Sequence, residues 1–470
     1  MIFNPTPRPY WIFVLACLIT FSSGSAYSQP KKTNIIYIMT DDLGYGDLGC
    51  YGQQLMKTPN IDKLASQGVL FTQAYAGGPV CTPSRSVLMT GLHNGHTPAR
   101  DNIPHYHTYL QKDDVTLAET LKTVGYRTGG LGKWSLGDPG TAGDATNQGF
   151  DMWLGYQNQD HAHYYYPEYL DDSYRAENDF KLGLPGNTES REFYSHDLLT
   201  DRALQFIRDA NQDPFFLYVA FTLPHFSSKK EDPDGLTVPT TDPYSNESWP
   251  EKAKKYASMV HMLDRDVGRI VDLVDQLGLS DQTLIVFTSD NGGHHDVWEG
   301  FDTSGPLRGF KRDLTEGGIR VPLIVRWPGT APEGVISNEV IAFQDMHPTF
   351  AAIAGAQIPA NLDGINISEA LKGQKLSSGR PYLYWDYGHN RDQYNQAVRM
   401  GDWKGIRLGQ GSKISLYDLT SDLGEEQDVA KKHPDIVRKI EAIMEEAFTP
   451  SSRYEVGRPY TGGPIWKKNK

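Results

Sequence analysis

Ile35-Ile36-Tyr37-Ile38-Met39-Thr40-Asp41-Asp42 is the stretch from which the fold of this chain is read. Five apolar residues in a row, with no polar alternation, are what a strand buried on both faces requires. The run ends abruptly in two carboxylates. Phe215 to Phe221 and Leu284 to Phe287 repeat the pattern, and the latter leads into Thr288-Ser289-Asp290-Asn291-Gly292-Gly293, so an acidic group again follows a strand. Between these runs the period changes. Val260, Leu263, Val267, Ile270, Val271 and Val274 fall on one helical face, and Leu117 to Val124 and Leu198 to Ile207 are shorter helical patterns. Strands alternating with helices predict an α/β domain with a mostly parallel sheet flanked by helices. Polar groups clustered past strand ends lie where such sheets bind ligands.

Working outward, 470 residues suffice for a sizeable core and more than one domain. Residues 1–28 read as a signal peptide: Arg8, an apolar run from Trp11 to Phe21, then small Gly24, Ser25 and Ala26. Export to the periplasm or the medium is expected. Leu15-Ala16-Cys17 is a weak lipoprotein-like feature, but the apolar run continues past it through Ile19 and Phe21, which argues against lipid anchoring. No later segment is long and apolar enough to span a bilayer. After cleavage Cys50 and Cys81 remain, too few for a disulfide scaffold, although a Cys50–Cys81 bridge stays open. A net charge of −13 excludes broad binding to nucleic acid or anionic membrane, and an anionic substrate needs a local basic pocket. The 26 tyrosines suit a sugar site and ordinary packing equally.

The character changes near residue 373, where Lys372-Gly373-Gln374-Lys375 and Ser377-Ser378-Gly379 are polar. Residues 29–373 are assigned to the α/β domain and 374–470 to a smaller α+β subdomain and tail. Its short strand-like pieces are Tyr382 to Trp385, Ala397 to Met400, Trp403 to Leu408 and Ile414 to Tyr417, followed by a helical pattern from Ile436 to Phe448. They predict a small antiparallel sheet with a helix. The tail from Pro450 to Lys470 has a poorly ordered composition.

The segment richest in chemistry is Cys81-Thr82-Pro83-Ser84-Arg85-Ser86-Val87-Leu88-Met89-Thr90-Gly91. Pro83 suits the first turn of a helix, whose free N–H groups and positive dipole end favour anions. Alone, the residues allow an inert buried cysteine. The segment resembles the signature of the type I sulfatases, a family with an alkaline-phosphatase-like core and a small C-terminal subdomain. The resemblance implies that a maturation enzyme oxidises Cys81 to formylglycine, and that Arg85 pairs with the modified side chain or with sulfate.

Other segments fall in the family's order, and the resemblance covers Asn34 to Ala430. Asp41-Asp42 and Asp290-Asn291 offer hard oxygen donors of the kind calcium takes, and a cation relieves the mutual repulsion of clustered carboxylates. Each pair alone reads equally as strand-end capping. With Cys81, the resemblance makes Asp41, Asp42, Cys81, Asp290 and Asn291 the ligands of one Ca2+. Gly132-Lys133-Trp134, Pro224-His225 and Gly309-Phe310-Lys311 are similar to further family elements. They imply that Lys133 and Lys311 contact sulfate and that His225 faces the ester oxygen and protonates the leaving alcohol. Glu316 and Arg320, in Glu316-Gly317-Gly318-Ile319-Arg320-Val321-Pro322, are expected to form a structural pair.

One position departs from the family: Ser135 stands where a histidine helps release sulfate. A hydroxyl is a poor base until activated. The role passes to His161 or His163, to water, or is dispensable. His161, His163, His294 and Arg308, with Tyr164-Tyr165-Tyr166, are candidates for the mouth of a substrate pocket. The expected activity is hydrolysis of sulfate esters on a galactose- or N-acetylgalactosamine-type glycan. The alternatives are a phosphomonoester or phosphonate hydrolase, and a non-catalytic protein that binds sulfated glycans.

Overall fold

The computed structural model describes residues 32–103, 108–175, 179–210, 213–227, 234–389, 391–451, 454 and 456, with 1, 2 and 4–6 at the N-terminus. The run Trp11 to Phe21 with Cys17 therefore lies outside the described residues, as does the tail from 457 onward. Among the described residues no helix is long and apolar enough to cross a membrane.

Among the described residues fifteen strands follow in order: β1 (Asn34–Thr40), β2 (Val69–Tyr75), β3 (Arg127–Lys133), β4 (Met152–Tyr156), β5 (Tyr169–Asp172), β6 (Lys181–Gly183), β7 (Phe215–Ala220), β8 (Thr283–Ser289), β9 (Arg320–Arg326), β10 (Val335–Ser337), β11 (Ile341–Ala342), β12 (Leu383–Tyr387), β13 (Asn395–Met400), β14 (Trp403–Leu408) and β15 (Ile414–Asp418). The first eleven form one sheet, ordered β10-β2-β9-β8-β1-β7-β3-β4-β5-β6 with β11 beside β2. Its centre, β8-β1-β7-β3-β4, is parallel, and β9, β5 and β6 run antiparallel to their neighbours.

Every residue of β1 is buried, because helices cover both faces. Ile36 and Ile38 pack into a core with Met259, Val260, Leu263 and Val267 of the Glu251–Gln276 helix and with Leu199 and Ala203 of the Ser195–Asp209 helix. Ile35, Tyr37 and Met39 face the other core, with Val87, Leu88, Leu117 and Phe350. Burial of each such side chain is worth roughly 1.5–3 kcal/mol.

Register then delivers the chemistry. Thr40 pairs with Ser289, so Asp41 and Asp42 leave the sheet beside Asp290 and Asn291. The Asp290 N–H donates to the Thr40 carbonyl at 3.0 Å, and the Asp41 N–H to the Leu223 carbonyl at 3.0 Å, which ties the exit of β7 and its Pro224-His225 to the same point.

β3 differs from the sequence expectation, which placed no strand there. Arg127-Thr128-Gly129-Gly130-Leu131-Gly132-Lys133 is an inner strand between β7 and β4. A Cβ at Gly129 would come within 2.5 Å of the Phe206 ring, and one at Gly130 within 2.2 Å of the Trp153 ring. These glycines make room for aromatic rings.

The small antiparallel sheet runs β12-β13-β14-β15, and the Pro434–Glu446 helix packs Ile440 and Met444 against it. Its opposite face carries Leu383, Trp385, Ala397 and Ile406 onto Tyr75, Val80 and Ile319 of the main core, with Trp385 Nε1 donating to the Ala76 carbonyl at 2.9 Å. The described residues from Lys32 onward accordingly make one compact unit.

Candidate active site

Cys81 opens the Cys81–Thr90 helix, directly after an extended Val80. Asp41, Asp42, Asp290, Asn291, Arg85, Lys133 and His225 gather around it, all buried, with a partly buried Lys311. Both cysteines are free, so no Cys50–Cys81 bridge forms.

Three carboxylates face three strong cations. Lys133 Nζ lies 2.7 Å from Asp41 Oδ2, Lys311 Nζ 2.7 Å from Asp42 Oδ2, and Arg85 Nη2 2.7 Å from Asp290 Oδ2. The Arg85 guanidinium also donates to the Lys133 carbonyl at 2.6 Å and to the Tyr218 hydroxyl at 3.4 Å. It reaches this position because it sits one turn after Cys81. The Cys81 thiol donates to Asp41 Oδ1 at 3.3 Å, and Lys311 Nζ stands 3.6 Å from its sulfur.

Burial, then Asp290 and Asp41, push the Cys81 thiol up to about 12. As a cysteine it is a protonated, unreactive group. Burial also works to raise Asp41, but Lys133, His225, Arg85 and Lys311 together hold it well below the usual carboxylate range. Asp290 is lifted to about 6 by burial and by Asp41. Burial and then Lys311 press His225 well below the ordinary histidine value. Its Nδ1 is 2.6 Å from the Phe226 carbonyl and so carries the proton there, leaving the Nε2 lone pair facing Lys311 Nζ at 3.0 Å.

The residues fit a hard cation. Asn291 donates through Nδ2 to Asp42 Oδ1 at 2.7 Å, but its own Oδ1 is buried without a partner. An orphaned amide oxygen beside three buried carboxylates is a donor set for calcium rather than for zinc.

The remaining sequence candidates separate. His163 lies flat against His225, ring centroids 4.1 Å apart and planes 8° from parallel. His161 instead stacks among Tyr156 and Tyr169 and lines a different cavity of about 1110 Å³, whose wall includes none of the cluster residues. His294 packs on Phe226, and burial, with Lys311 and His295 against Asp42, brings it to about 4. Arg308 is exposed over the Tyr417 ring. Ser135 is buried in the left-handed backbone region, its hydroxyl without a partner. Two contacts were not expected from sequence. One is Tyr218 beneath Arg85. The other is Gln159, which accepts from the Thr82 hydroxyl at 3.2 Å and stands 3.4 Å from His163. The spacing of four between Gln159 and His163 was the available signal, since a helical turn puts them on one side.

A buried cysteine, three carboxylates and three cations collected where parallel strands end define a hydrolase for an anionic ester. Comparison with known proteins narrows that class. The Sulfatase family profile matches residues 33–356, and the profile for the C-terminal region of N-sulphoglucosamine sulphohydrolase matches 309–449. Arylsulfatase A of Homo sapiens is 31% identical over 484 residues, covering 91% of this chain and 89% of that protein. N-acetylgalactosamine-6-sulfatase of Canis lupus familiaris is 30% identical, covering 83% and 74%. The crystal structure of Ps i-CgsB in complex with k-i-k-neocarrahexaose is similar with a TM-score of 0.75 at 30% identity, covering 91% of this chain and 95% of that one. The chain belongs to the sulfatase family and hydrolyses sulfate esters. That family implies calcium and formylglycine, with which the Asp41, Asp42, Cys81 and His225 grouping is consistent.

Proposed function

We propose that this sulfatase acts on a sulfated glycan of galactose or N-acetylgalactosamine type, with one calcium held by Asp41, Asp42, Asp290, Asn291 and residue 81. The observation that carries the reading is the convergence of Arg85, Lys133 and Lys311 on Cys81 inside a buried cluster that leaves Asn291 Oδ1 unpaired. Two relatives support the glycan: one is named for N-acetylgalactosamine 6-sulfate, and another was solved with a neocarrahexaose bound. Export through residues 1–28, and maturation of Cys81 by a formylglycine-generating enzyme, belong to the same proposal, as does the division at residue 373.

Calcium, held by Asp41, Asp42, Asp290, Asn291 and residue 81, would supply Lewis-acid polarisation of the sulfate, and formylglycine at position 81 would supply the nucleophilic hydroxyl. This chain's own groups do the rest. Arg85, Lys133 and Lys311 turn from their carboxylates to the sulfate oxygens as negative charge grows there. Lys311 Nζ and His225 Nε2, 3.0 Å apart, share the proton that the departing sugar oxygen takes. His163, stacked on His225, is our candidate for the base that Ser135 does not supply, although burial and then His225 hold it well below the ordinary histidine value.

An aryl sulfate and an aryl phosphate assayed side by side, with EDTA and then added calcium, test the chemistry. Sulfate turnover lost on chelation and restored by calcium is expected. Faster phosphate turnover, or a zinc requirement, would overturn the assignment. A panel of defined sulfated oligosaccharides tests the sugar.

A further inference from the structure

Residues 157–164 separate two spaces. Gln159 and His163 face the catalytic cluster, through Thr82 and His225. Gln157, Asn158, His161 and Tyr164 line the cavity of about 1110 Å³ on the other side. His163 stacks on His225 with ring centroids 4.1 Å apart, and the next residue, Tyr164, lines the cavity, so the wall begins one residue from that imidazole pair. That is where the sugar next to a sulfated sugar would lie.

The two spaces differ in charge character. Around Cys81 three cations balance three carboxylates, and a bound calcium would leave that site net positive. In the cavity wall Asp144, Asp160, Glu168, Asp171 and Asp179 have no ion-pair partner among the described residues. Lys181 is the single lysine or arginine of the wall among those residues, and its Nζ sits 4.3 Å from the Tyr169 ring centroid. Asp151 and Asp172, by contrast, are paired with Lys122 and with Arg175. Carboxylates accept hydroxyl protons and repel sulfate and uronate groups. The rings of His161, Tyr164 and Tyr169 add flat apolar faces among these acceptors, the mixture that holds a neutral polyol in a site of this size.

We infer that this cavity is the subsite for an uncharged sugar adjoining the sulfated unit, so that the enzyme selects glycans whose neighbouring residue carries hydroxyls and no sulfate or carboxylate. The inference rests on the glycan reading above and narrows it.

The test uses the full, calcium-loaded, matured enzyme and two disaccharides with the same sulfated galactose-type unit. One has a neutral neighbour; in the other the neighbour carries a second sulfate. The expected kcat/KM is at least about tenfold higher for the neutral neighbour. Glu168→Lys combined with Asp160→Lys, both at exposed positions, should shrink that ratio. Tyr169→Ala should raise KM for the neutral disaccharide far more than for an aryl sulfate. Calorimetric binding of the desulfated neutral disaccharide, weakened by Tyr169→Ala, probes the cavity even where the sulfated sugar was chosen wrongly. Equal rates on the two disaccharides, a preference for the doubly sulfated one, or desulfated-sugar binding indifferent to Tyr169→Ala would remove the subsite. Aryl sulfate turnover with neither disaccharide cleaved would instead count against the choice of sugar.

Discussion

Around Glu316 and around Asp41 the chain buries charge in two different ways. Glu316 is surrounded by partners from distant strands: Lys404 Nζ at 2.8 Å on one oxygen, the Tyr75 hydroxyl at 2.6 Å and Arg320 Nη1 at 3.1 Å on the other. Lys404 also meets Glu425 at 3.0 Å, and Glu425 accepts the Glu316 N–H at 2.7 Å. This cluster joins β2, β9 and β14, and so fastens the small sheet to the large one. The Asp41 cluster is equally buried but incompletely satisfied. Among the described residues Asn291 Oδ1 has no partner, a thiol is the hydrogen-bond donor to Asp41 Oδ1, and His225 Nε2 meets Lys311 at 3.0 Å and Asp42 Oδ2 at 3.4 Å. A buried charge that is left short costs stability unless something else arrives to complete it. Both oxygens of Glu316 are paired within the joint, whereas Asn291 Oδ1 is left open in the site.

Substitution separates the two clusters. Cys81→Ser, made in a host without a serine-type maturase, should lower kcat on the order of 10⁴-fold or more while leaving the urea unfolding midpoint in place. Peptide mass spectrometry should find a mass loss at Cys81 in the active parent protein. Fully active enzyme with unmodified Cys81 would break the comparison at its centre. Next in size, His225→Ala should cost roughly 10²–10⁴-fold on a sugar sulfate and much less on an aryl sulfate, whose phenol leaves without a proton. An equal loss on both leaving groups would move the acid role to Lys311.

Lys404→Ala should do the reverse. It strands Glu316 and Glu425, and should lower unfolding free energy by about 3–5 kcal/mol in urea titrations, with kcat of the folded fraction nearly unchanged. A large kcat loss at full stability would mean that the joint also serves the site.

The smallest effect is on pH. Burial works to raise Glu316, but Lys404, Arg320 and Arg399 draw it down to about 2 from an ordinary 4.5. A depressed carboxyl contributes stability above its unfolded value and loses it as pH falls through the folded one. On the order of 3 kcal/mol should therefore disappear between pH 4.5 and 2. Glu425, raised by burial against Lys404 and further by Glu316, acts with the opposite sign and reduces the net loss. Urea midpoints measured down to pH 2.5 should fall less steeply in Glu316→Gln than in the parent, and parallel slopes would remove Glu316 from the acid response.

What the amino-acid order determined by itself is the local part of this protein. The apolar run of β1, the carboxylates after it, the Cys81 segment and the Glu251–Gln276 helix are each written in a few consecutive or regularly spaced residues, so the α/β class, the small second sheet and the family were legible. Tertiary structure decided the rest. Strand β3 was not legible because the rings that need the space at its glycines, Phe206 and Trp153, lie elsewhere in the sequence. His161 and His163 are equivalent on paper, and only the fold sends one against His225 and the other into a separate cavity. Glu316 and Arg320 could be paired from their spacing, but Lys404, 88 residues on, could not. Short-range spacing reports which face a residue shares with its neighbours. Which distant side chain meets that face is set by how the sheets and helices pack, and no local pattern carries that information.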